Sequence, residues 1–311
     1  ICMNLNIQIN EENMKPWWII IVALFLAGWA HAAEGLQPYL LLDETQGNSR
    51  VNLTELKEGL EEEGFVVLGS YEPAEDSRRK VLSFTHPKLL KVVSGLRETA
   101  GYFSVWRMAL TEAETGTEIS LQNPEYWGNA YLQDEYPVAE STVKELISRI
   151  LVAFGSGSSN KAFGSSQEFS AEDLREYHYM FSMPYFEDQV ELGEFESHNQ
   201  ALETIETNLR NSENCIKVFR QTVKSQETVL YGIGLKGATG EGHYLPIIDI
   251  AEHKHTAFLP YELLVNGKKV YMLHGRFRIA VSFPDLTMMT FGKIMSTPGD
   301  IEALMATLTA N

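Results

Sequence analysis

The chain has 311 residues, of which 44% are hydrophobic, and its formal net charge is -17. A chain of this length supplies apolar side chains for two cores of ordinary size. The acidic excess repels nucleic acid and anionic lipid, so neither is expected as a partner, and stable membrane insertion is not expected.

The first 32 residues have the pattern of a leader rather than of a folded segment. Residues 1–13 are interpreted as upstream reading frame and residues 14–32 as a signal peptide. In the latter, a lysine precedes an apolar run that is shorter than the ~20 residues of a membrane span. The run ends in Ala30-His31-Ala32, a form that signal peptidase cuts. Cleavage near Ala32/Ala33 predicts an exported, periplasmic or secreted protein in which Cys215 has no cysteine to pair with.

A first α+β repeat is predicted for residues 51–155, after an N-terminal segment at residues 33–50. "NLTELKEGLEEEG" has its leucines on one helical face and a glycine that ends the helix. "FVVLGSY" and "KVLSFT" alternate as strands, and "HPKLLKVVSGL" predicts a helix that begins at proline. The hairpin "YFSVWRMALTEAETGTEISLQNP" and the helix "VAESTVKELISRILVAFG" complete this unit.

A second α+β repeat is predicted for residues 195–311, after a linker and interdomain segment at residues 156–194 that is rich in glycine and serine near its start. "SHNQALETIETNLRN" predicts a helix capped by Ser197, and "IKVFRQTV" and "TVLYGIGL" predict strands. Cys215 is expected to be a small buried residue at the start of the first of these strands. "YELLVNGKKVYMLHGRFRIAVSF" predicts a hairpin around an Asn266-Gly267 turn, and "TPGDIEALMATL" predicts a closing helix.

The order of helices and strands is the same in both predicted units. Helices that are segregated from hairpins predict an α+β fold, in which each antiparallel sheet is covered by helices on one side. We therefore expect two similar domains arranged as an internal pseudo-dimer.

Three short stretches resemble a known family: "VLSFTHPKLL", "FLPYELLV" and "VSFPD" are similar to the uncharacterised bacterial family numbered 302 among the domains of unknown function. The resemblance covers residues 51–155 and about 195–308. It implies small TBP-like α+β domains that tend to pair, and a possible homodimer, but no catalytic activity. Where many members have leucine, proline and cysteine, this chain has Leu259, Pro260 and Tyr261, so a thiol role is absent at that position.

His253 and His255 lie one residue apart and would share a face of an extended strand, as two ligands of one metal ion would. His274 is the candidate third ligand. An Asn266-Gly267 turn would pair Val265 with Lys268, and this register leaves His274 and His255 about 13 Å apart. The sequence therefore favours surface imidazoles over a metal site.

The same register predicts that His274, Arg276 and Arg278 alternate on one strand face. His253 and His255 would extend that row, and Tyr261 lies in the neighbouring strand. Residues 253–278 contain five Lys or Arg and one acid, so this segment would attract anions. The favoured interpretation is that these arginines pair with acids of the linker or of the other domain, and a small-anion site on this face is the alternative.

Methionine and histidine provide a third candidate site. Thioethers and imidazoles in an exported protein are ligands for Cu(I). The weak candidate ligands are His178, Met180, Met183, Met288, Met289 and Met295. Packing in the core is the favoured interpretation of these methionines, and copper is the alternative.

No nucleophile and base can be paired from the sequence, so it favours an exported, non-enzymatic binding or interaction protein without a cofactor. A small anionic molecule or another exported protein is the expected partner. A periplasmic copper-binding protein and an enzyme that acts on a small anionic substrate are the alternatives. "GIGLKG" fits a dinucleotide fingerprint by its letters, but the sequence predicts no helix after it.

Overall fold

Two antiparallel sheets, each accompanied by helices, form the α+β fold that the sequence predicts. The computed structural model describes residues 35–46, 52–112, 116–155, 161–224 and 227–310. Residues from Gly35 to Asn311 belong to one compact unit. The predicted upstream stretch and signal peptide lie outside the described residues.

The first sheet has six strands in the order β2-β3-β4-β5-β1-β6. Its strands are β1 (Tyr39–Gln46), β2 (Val66–Tyr71), β3 (Arg79–Thr85), β4 (Trp106–Glu112), β5 (Gly116–Gln122) and β6 (Lys161–Phe163). Its helices are α1 (Leu53–Glu62), α2 (Pro87–Val93), α3 (Pro124–Leu132) and α4 (Tyr136–Phe154). Strands β1 and β6 come from the predicted N-terminal segment and linker, so these segments also contribute to the sheet.

The second sheet has five strands in the order β7-β11-β10-β9-β8. Its strands are β7 (Val190–Glu194), β8 (Cys215–Lys224), β9 (Thr228–Leu235), β10 (Tyr261–Asn266) and β11 (Lys269–Met272). The helices of this part of the chain are α5 (Ala171–Arg175), α6 (His198–Asn211), α7 (Glu241–Ile248), α8 (Gly275–Ser282), α9 (Met288–Lys293) and α10 (Thr297–Ala306). Within the described residues, no helix is both long and apolar enough to cross a membrane.

The helices α1 and α6 begin where their capping residues predict. Asn52 accepts hydrogen bonds from the first turn of α1, and Glu55 completes a capping box. Ser197 caps α6 through the backbone N–H of Gln200. The apolar face of each helix is buried in the core, as its spacing predicts: Leu56 and Leu60 in α1, and Ala201, Ile205 and Leu209 in α6.

The two sheets meet where the edge strands β2 and β8 come close to each other. A Cβ atom added to Gly69 in β2 would lie 2.0 Å from the carbonyl oxygen of Val218 in β8. Both strands have an irregular register at this point, between Val67 and Gly69 and between Lys217 and Phe219. Only glycine allows the two backbones to approach this closely.

A buried ionic cluster of Arg107, Glu262 and Arg278 also joins the two halves. Glu262 in β10 forms ion pairs with Arg107 in β4 and with Arg278 in α8. The guanidinium group of Arg278 also donates to the carbonyl oxygen of Phe258, and it lies 4.9 Å from the ring of Trp127. Because a buried charge without partners is very costly, this cluster fixes how β4, β10 and α8 pack together.

Three predictions for the second half are wrong. Strand β11 ends at Met272, and residues 275–282 form the helix α8 instead of continuing the hairpin. The hairpin pairs Asn266 with Lys269 and Val265 with Val270, because Gly267, with φ 55°, starts the turn. The helix α7 opens soon after "GIGLKG", where a loop was expected. Cys215, by contrast, is buried at the start of β8 as predicted.

Candidate functional site

His253 and His255 lie on the wall of a cleft of about 490 Å³, which we call the histidine cleft. Three segments form it: the residues that follow β6, the loop that follows α7, and the connection between α8 and α9. The lining includes Phe163, Ser165, Ser166, Ile248, Glu252, His253, His255, Phe283, Asp285 and Leu286.

The first sheet and a set of short polar contacts hold these three segments together. Strand β6 pairs with β1 through Tyr39 and Phe163, which positions the residues that follow β6. The loop after α7 is fixed by Asp249, whose carboxylate accepts the backbone N–H of His255 at 2.9 Å and pairs with Arg79 of β3. A cleft with walls anchored in this way is formed before any ligand arrives.

His253 forms a dyad with a buried carboxylate. Its Nδ1 lies 3.0 Å from Oε1 of Glu118 in β5. Burial raises the pKa of Glu118 above its ordinary value, and the hydrogen bond from His253 opposes that rise. With Nδ1–H donating to Glu118, the Nε2 atom of His253 is the ring nitrogen left for the cleft.

His255 is held even more firmly than His253. Its ring lies between Tyr39 and Phe283, with ring centroids 4.8 Å and 4.7 Å away. Nδ1 lies 3.1 Å from the carbonyl oxygen of Ser282, which can only accept, so Nδ1 carries the proton. Burial lowers the pKa of His255, so its imidazole is neutral at pH 7 and presents Nε2 as an acceptor.

Asp285, in the connection between α8 and α9, is an acid on the lining of the cleft. Its carboxylate accepts hydrogen bonds from the hydroxyl groups of Ser165 and Ser166, at 3.3 Å and 3.0 Å, and from the backbone N–H of Ser166 at 2.7 Å. These bonds fix the orientation of the carboxylate. Glu252 is a second, exposed acid on the lining, and no Lys or Arg is among the described residues that line the cleft.

The histidines that the sequence singled out do not come together. His274 caps α8, where its Nδ1 accepts the backbone N–H of Arg276 at 3.1 Å, and it is not on the lining of the histidine cleft. Among the described residues, no three His, Cys, Asp or Glu side chains are arranged to hold a metal ion. His253 and His255 both line the histidine cleft, but they lie in a loop and not in the predicted strand, and His255 is buried and not a surface imidazole.

The predicted row of arginines on one face is wrong. Both residues lie in α8, where positions two apart point about 200° away from each other. Arg276 is exposed, whereas Arg278 is 1% exposed within the ionic cluster that joins the halves. Tyr261 is buried near Arg278. His274, Arg276, Arg278, Tyr261 and the two cleft histidines therefore do not form one site.

The methionines are not the core stripe that was the favoured interpretation. Met288, Met289 and Met295 are 56%, 81% and 65% exposed. Met295 lies beyond the end of α9, so it does not share a helical face with Met288. Met183 and Met288 line one small cavity of about 20 Å³, which the exposed Met180 does not line. The copper prediction stays a prediction.

His178 is tied to its own loop. Its ring stacks on Tyr185 with a centroid distance of 4.0 Å, and its Nε2 lies 2.8 Å from the carbonyl oxygen of Met183. The ring therefore donates through Nε2, which leaves only Nδ1 for another partner.

Glu118, Asp285 and Ser166 are residues of this site that the sequence did not identify. Glu118 carried little signal: in "TEISL" it shares a strand face with Ser120, a polar face that the alternation would leave to solvent, yet it is 5% exposed. A charged residue at such a position is almost never fully buried without a partner. Asp285 and Ser166 carried no signal, because they meet only through the fold.

Comparison with known proteins does not indicate a function for this chain. No family model and no curated protein matches the sequence. One similar solved structure is that of the uncharacterised conserved protein DUF302 from Bacillus stearothermophilus, with 19% sequence identity and a TM-score of 0.30. The match covers 37% of this chain and 95% of that chain. A similarity at this level carries no conclusion about function.

Proposed function

We propose that this protein is an exported, non-enzymatic binding protein that holds a small molecule in the histidine cleft. One observation carries the proposal: His253 and His255 are each anchored through Nδ1 and lie on one wall of a cleft of about 490 Å³. Two nitrogens in fixed positions can orient a ligand without the cost of ordering side chains on binding.

The size and the lining of the cleft support this proposal. Small-molecule sites typically enclose about 300–1,000 Å³ and combine apolar walls with a few fixed polar groups. The histidine cleft has apolar walls from Phe163, Phe283 and Leu286 and fixed polar groups from the two histidines. Export is part of the proposal and rests on the leader pattern of residues 14–32.

The proposed ligand site differs from the anion site that the sequence suggested. In that site, Arg276 and Arg278 were the predicted anion ligands, but neither is among the lining residues of the histidine cleft. We therefore place the ligand at the histidines and not at the arginines.

We also propose that the two halves are tandem copies of one domain of the DUF302 type. The same order of helices and hairpins in both halves supports this, as do the short motifs quoted above. An experimental structure in which the strands of the two halves do not superpose in the same order would contradict it.

To test the binding function, the protein is isolated from the exported fraction, analysed by native mass spectrometry, and screened for thermal stabilisation with a library of small metabolites. We expect a retained or stabilising organic molecule whose affinity falls at least tenfold in His253→Gln and in His255→Gln. His243→Gln is the matched control, because His243 is exposed on α7 outside the cleft.

The outcomes of this screen separate the candidates. A ligand that binds all three variants equally well contradicts the histidine cleft as its site. A retained copper ion that is lost on substitution of Met183 and Met288 would support the copper alternative. Failure of every compound to bind argues against a small-molecule function.

The dyad of His253 and Glu118 favours a second candidate, an enzyme that uses acid–base chemistry. A carboxylate that orients an imidazole through Nδ1 is the arrangement that makes Nε2 a general base. Turnover of a compound that binds in the screen, lost in Glu118→Gln while binding is kept, would support this candidate.

A further inference from the structure

The charges around the histidine cleft indicate which class of molecule it binds. This step rests on the proposed binding function. The formally charged residues on the lining are Glu252 and Asp285, and both are acids. Two cations lie nearby: Arg79 pairs with Asp249, and Lys254 donates at 2.6 Å to the carbonyl oxygen of Ala251, which is itself on the lining.

The two histidines and Asp285 offer acceptors to the cleft, beside the hydroxyl groups of Thr287 and Thr290, which can both donate and accept. Neutral His255 presents Nε2 with a free lone pair, because its Nδ1–H is bound to the carbonyl oxygen of Ser282. His253 presents Nε2 in the same way when its Nδ1–H donates to Glu118. Asp285 accepts three hydrogen bonds, and an ionised carboxylate has about four acceptor positions. Such a set of acceptors suits a group with several donors.

The remaining walls suit an apolar body beside that donor group. The ring of Phe163 lies 5.3 Å from the ring of His253, and the ring of Phe283 stacks on His255. Ile248 and Leu286 complete an apolar surface. Aromatic faces also attract cations, by about 0.5–2 kcal/mol depending on how far the pair is desolvated.

We infer that the histidine cleft binds a small organic amine in its ammonium form, with the ammonium group against Asp285 and the apolar body against Phe163 and Phe283. An ammonium group has three donors and no acceptor, which complements the acceptors of this cleft. A carboxylate or a phosphate would instead face two acids, without a Lys or Arg among the lining residues that the structure describes.

The pH dependence of binding distinguishes an amine from an anion. His255 is faced by Asp249, Asp285 and Lys254, and His253 is faced by Glu118. Protonation of the His255 imidazole at low pH adds positive charge and removes an acceptor. Binding of an amine is therefore expected to strengthen from pH 5.5 to pH 7.5, while binding of an anion would weaken over the same range.

The experiment is isothermal titration calorimetry of the full-length protein with three matched sets of probes. Each set contains the amine, the carboxylic acid and the alcohol on the same body: phenylethyl, indolylethyl or hexyl. We expect the amine of at least one set to bind at least tenfold more tightly than its acid and its alcohol at pH 7.5. Asp285→Asn should reduce that affinity at least tenfold, whereas Asp134→Asn, at an exposed position outside the cleft, should not.

The results separate this inference from the function on which it rests. If no amine is preferred in any set, or if an acid binds most tightly, the inference is overturned. If Asp285→Asn does not fold, the preference of the unaltered protein among the matched probes still decides. Failure of the proposed binding function is a different result, in which no small molecule of any charge binds to the cleft.

Discussion

Glu241, the first residue of α7, is a buried acid that bridges the two halves. Its carboxylate accepts hydrogen bonds from the hydroxyl group of Tyr71 and the backbone N–H of Ala74, both at 3.0 Å, and from the N–H of Leu235 at 3.1 Å. These donors favour the ionised form, but burial disfavours it more strongly and raises the pKa to about 7. Glu241 therefore links the stability of the fold to pH.

We expect the free energy of unfolding to decrease as the pH rises from about 4.5 to 7 because of this residue. The folded pKa of about 7 lies above the ordinary value of 4.5, so the folded state binds the proton more tightly within that range. The difference between these two pKa values corresponds to about 3 kcal/mol of stabilisation of the folded state, which is fully present below pH 4.5 and is lost above pH 7. The free energy of unfolding is measured by urea denaturation between pH 4.5 and pH 8. In Glu241→Gln, its slope against pH should lack the part that Glu241 contributes. Glu203→Gln, at an exposed position on α6, should keep it; equal slopes for both variants would contradict the prediction.

The crossing of β2 and β8 is a contact between edge strands that depends on one missing side chain. Edge strands present unpaired backbone groups, and packing two of them against each other covers both. Gly69 makes this close approach possible, since its Cα hydrogen is the only group that fits beside the carbonyl oxygen of Val218. A short sequence such as "VVLGSY" does not reveal that requirement, because the partner strand is about 150 residues away.

The substitution Gly69→Ala should destabilise the protein by about 1–3 kcal/mol, because the added Cβ forces the two backbones apart. The matched control is Gly299→Ala in α10, where a Cβ would meet nothing within 4 Å. This control should be neutral or more stable by up to about 1 kcal/mol, the difference in helix propensity. The midpoints of urea denaturation measure both variants. An unchanged midpoint for Gly69→Ala would mean that the strands are not in close contact.

The two halves share buried contacts that tie them into one structural unit. Besides the ionic cluster, the hydroxyl group of Tyr39 donates to the carbonyl oxygen of Ser282, and that of Tyr126 donates to the carbonyl oxygen of Val281. Each of these bonds runs from the first half to α8. A half that unfolded alone would leave buried polar groups of the other half without partners, which costs about 1–3 kcal/mol for each neutral group and more for a charged group.

We therefore expect both halves to unfold in one transition. Trp106 and Trp127 lie in the first half and report on it, whereas far-UV circular dichroism reports on both. Measured on the chain that starts at residue 33, Glu262→Gln should shift both signals together and lower stability by about 3–5 kcal/mol, because Arg107 and Arg278 lose their carboxylate. Glu203→Gln should stay within about 0.5 kcal/mol of the unaltered protein. Separate transitions for the two signals would falsify this prediction.

Local patterns determined most of the elements but failed at α8. Caps, prolines and alternation predicted α1, α2, α6, α10 and most strands, because these signals act over a few residues. In α8, by contrast, residues on every side of the helix are buried, so no helical period is visible in "GRFRIAVSF". The arginines of this helix were consequently assigned to a strand face.

For the candidate site, the sequence by itself determined that His253 and His255 lie close together, because residues two positions apart stay close in any local structure, but it did not determine that they lie in a loop or that His255 is buried. It also determined the charge of the chain and the α+β class. Only the tertiary structure decided that Glu118 and Asp285 complete the site, since strand β5 and the connection after α8 meet through the packing of the two halves. The burial of Arg278 was decided in the same way: a charge inside the protein is stable only with partners, and its partner Glu262 belongs to a different strand.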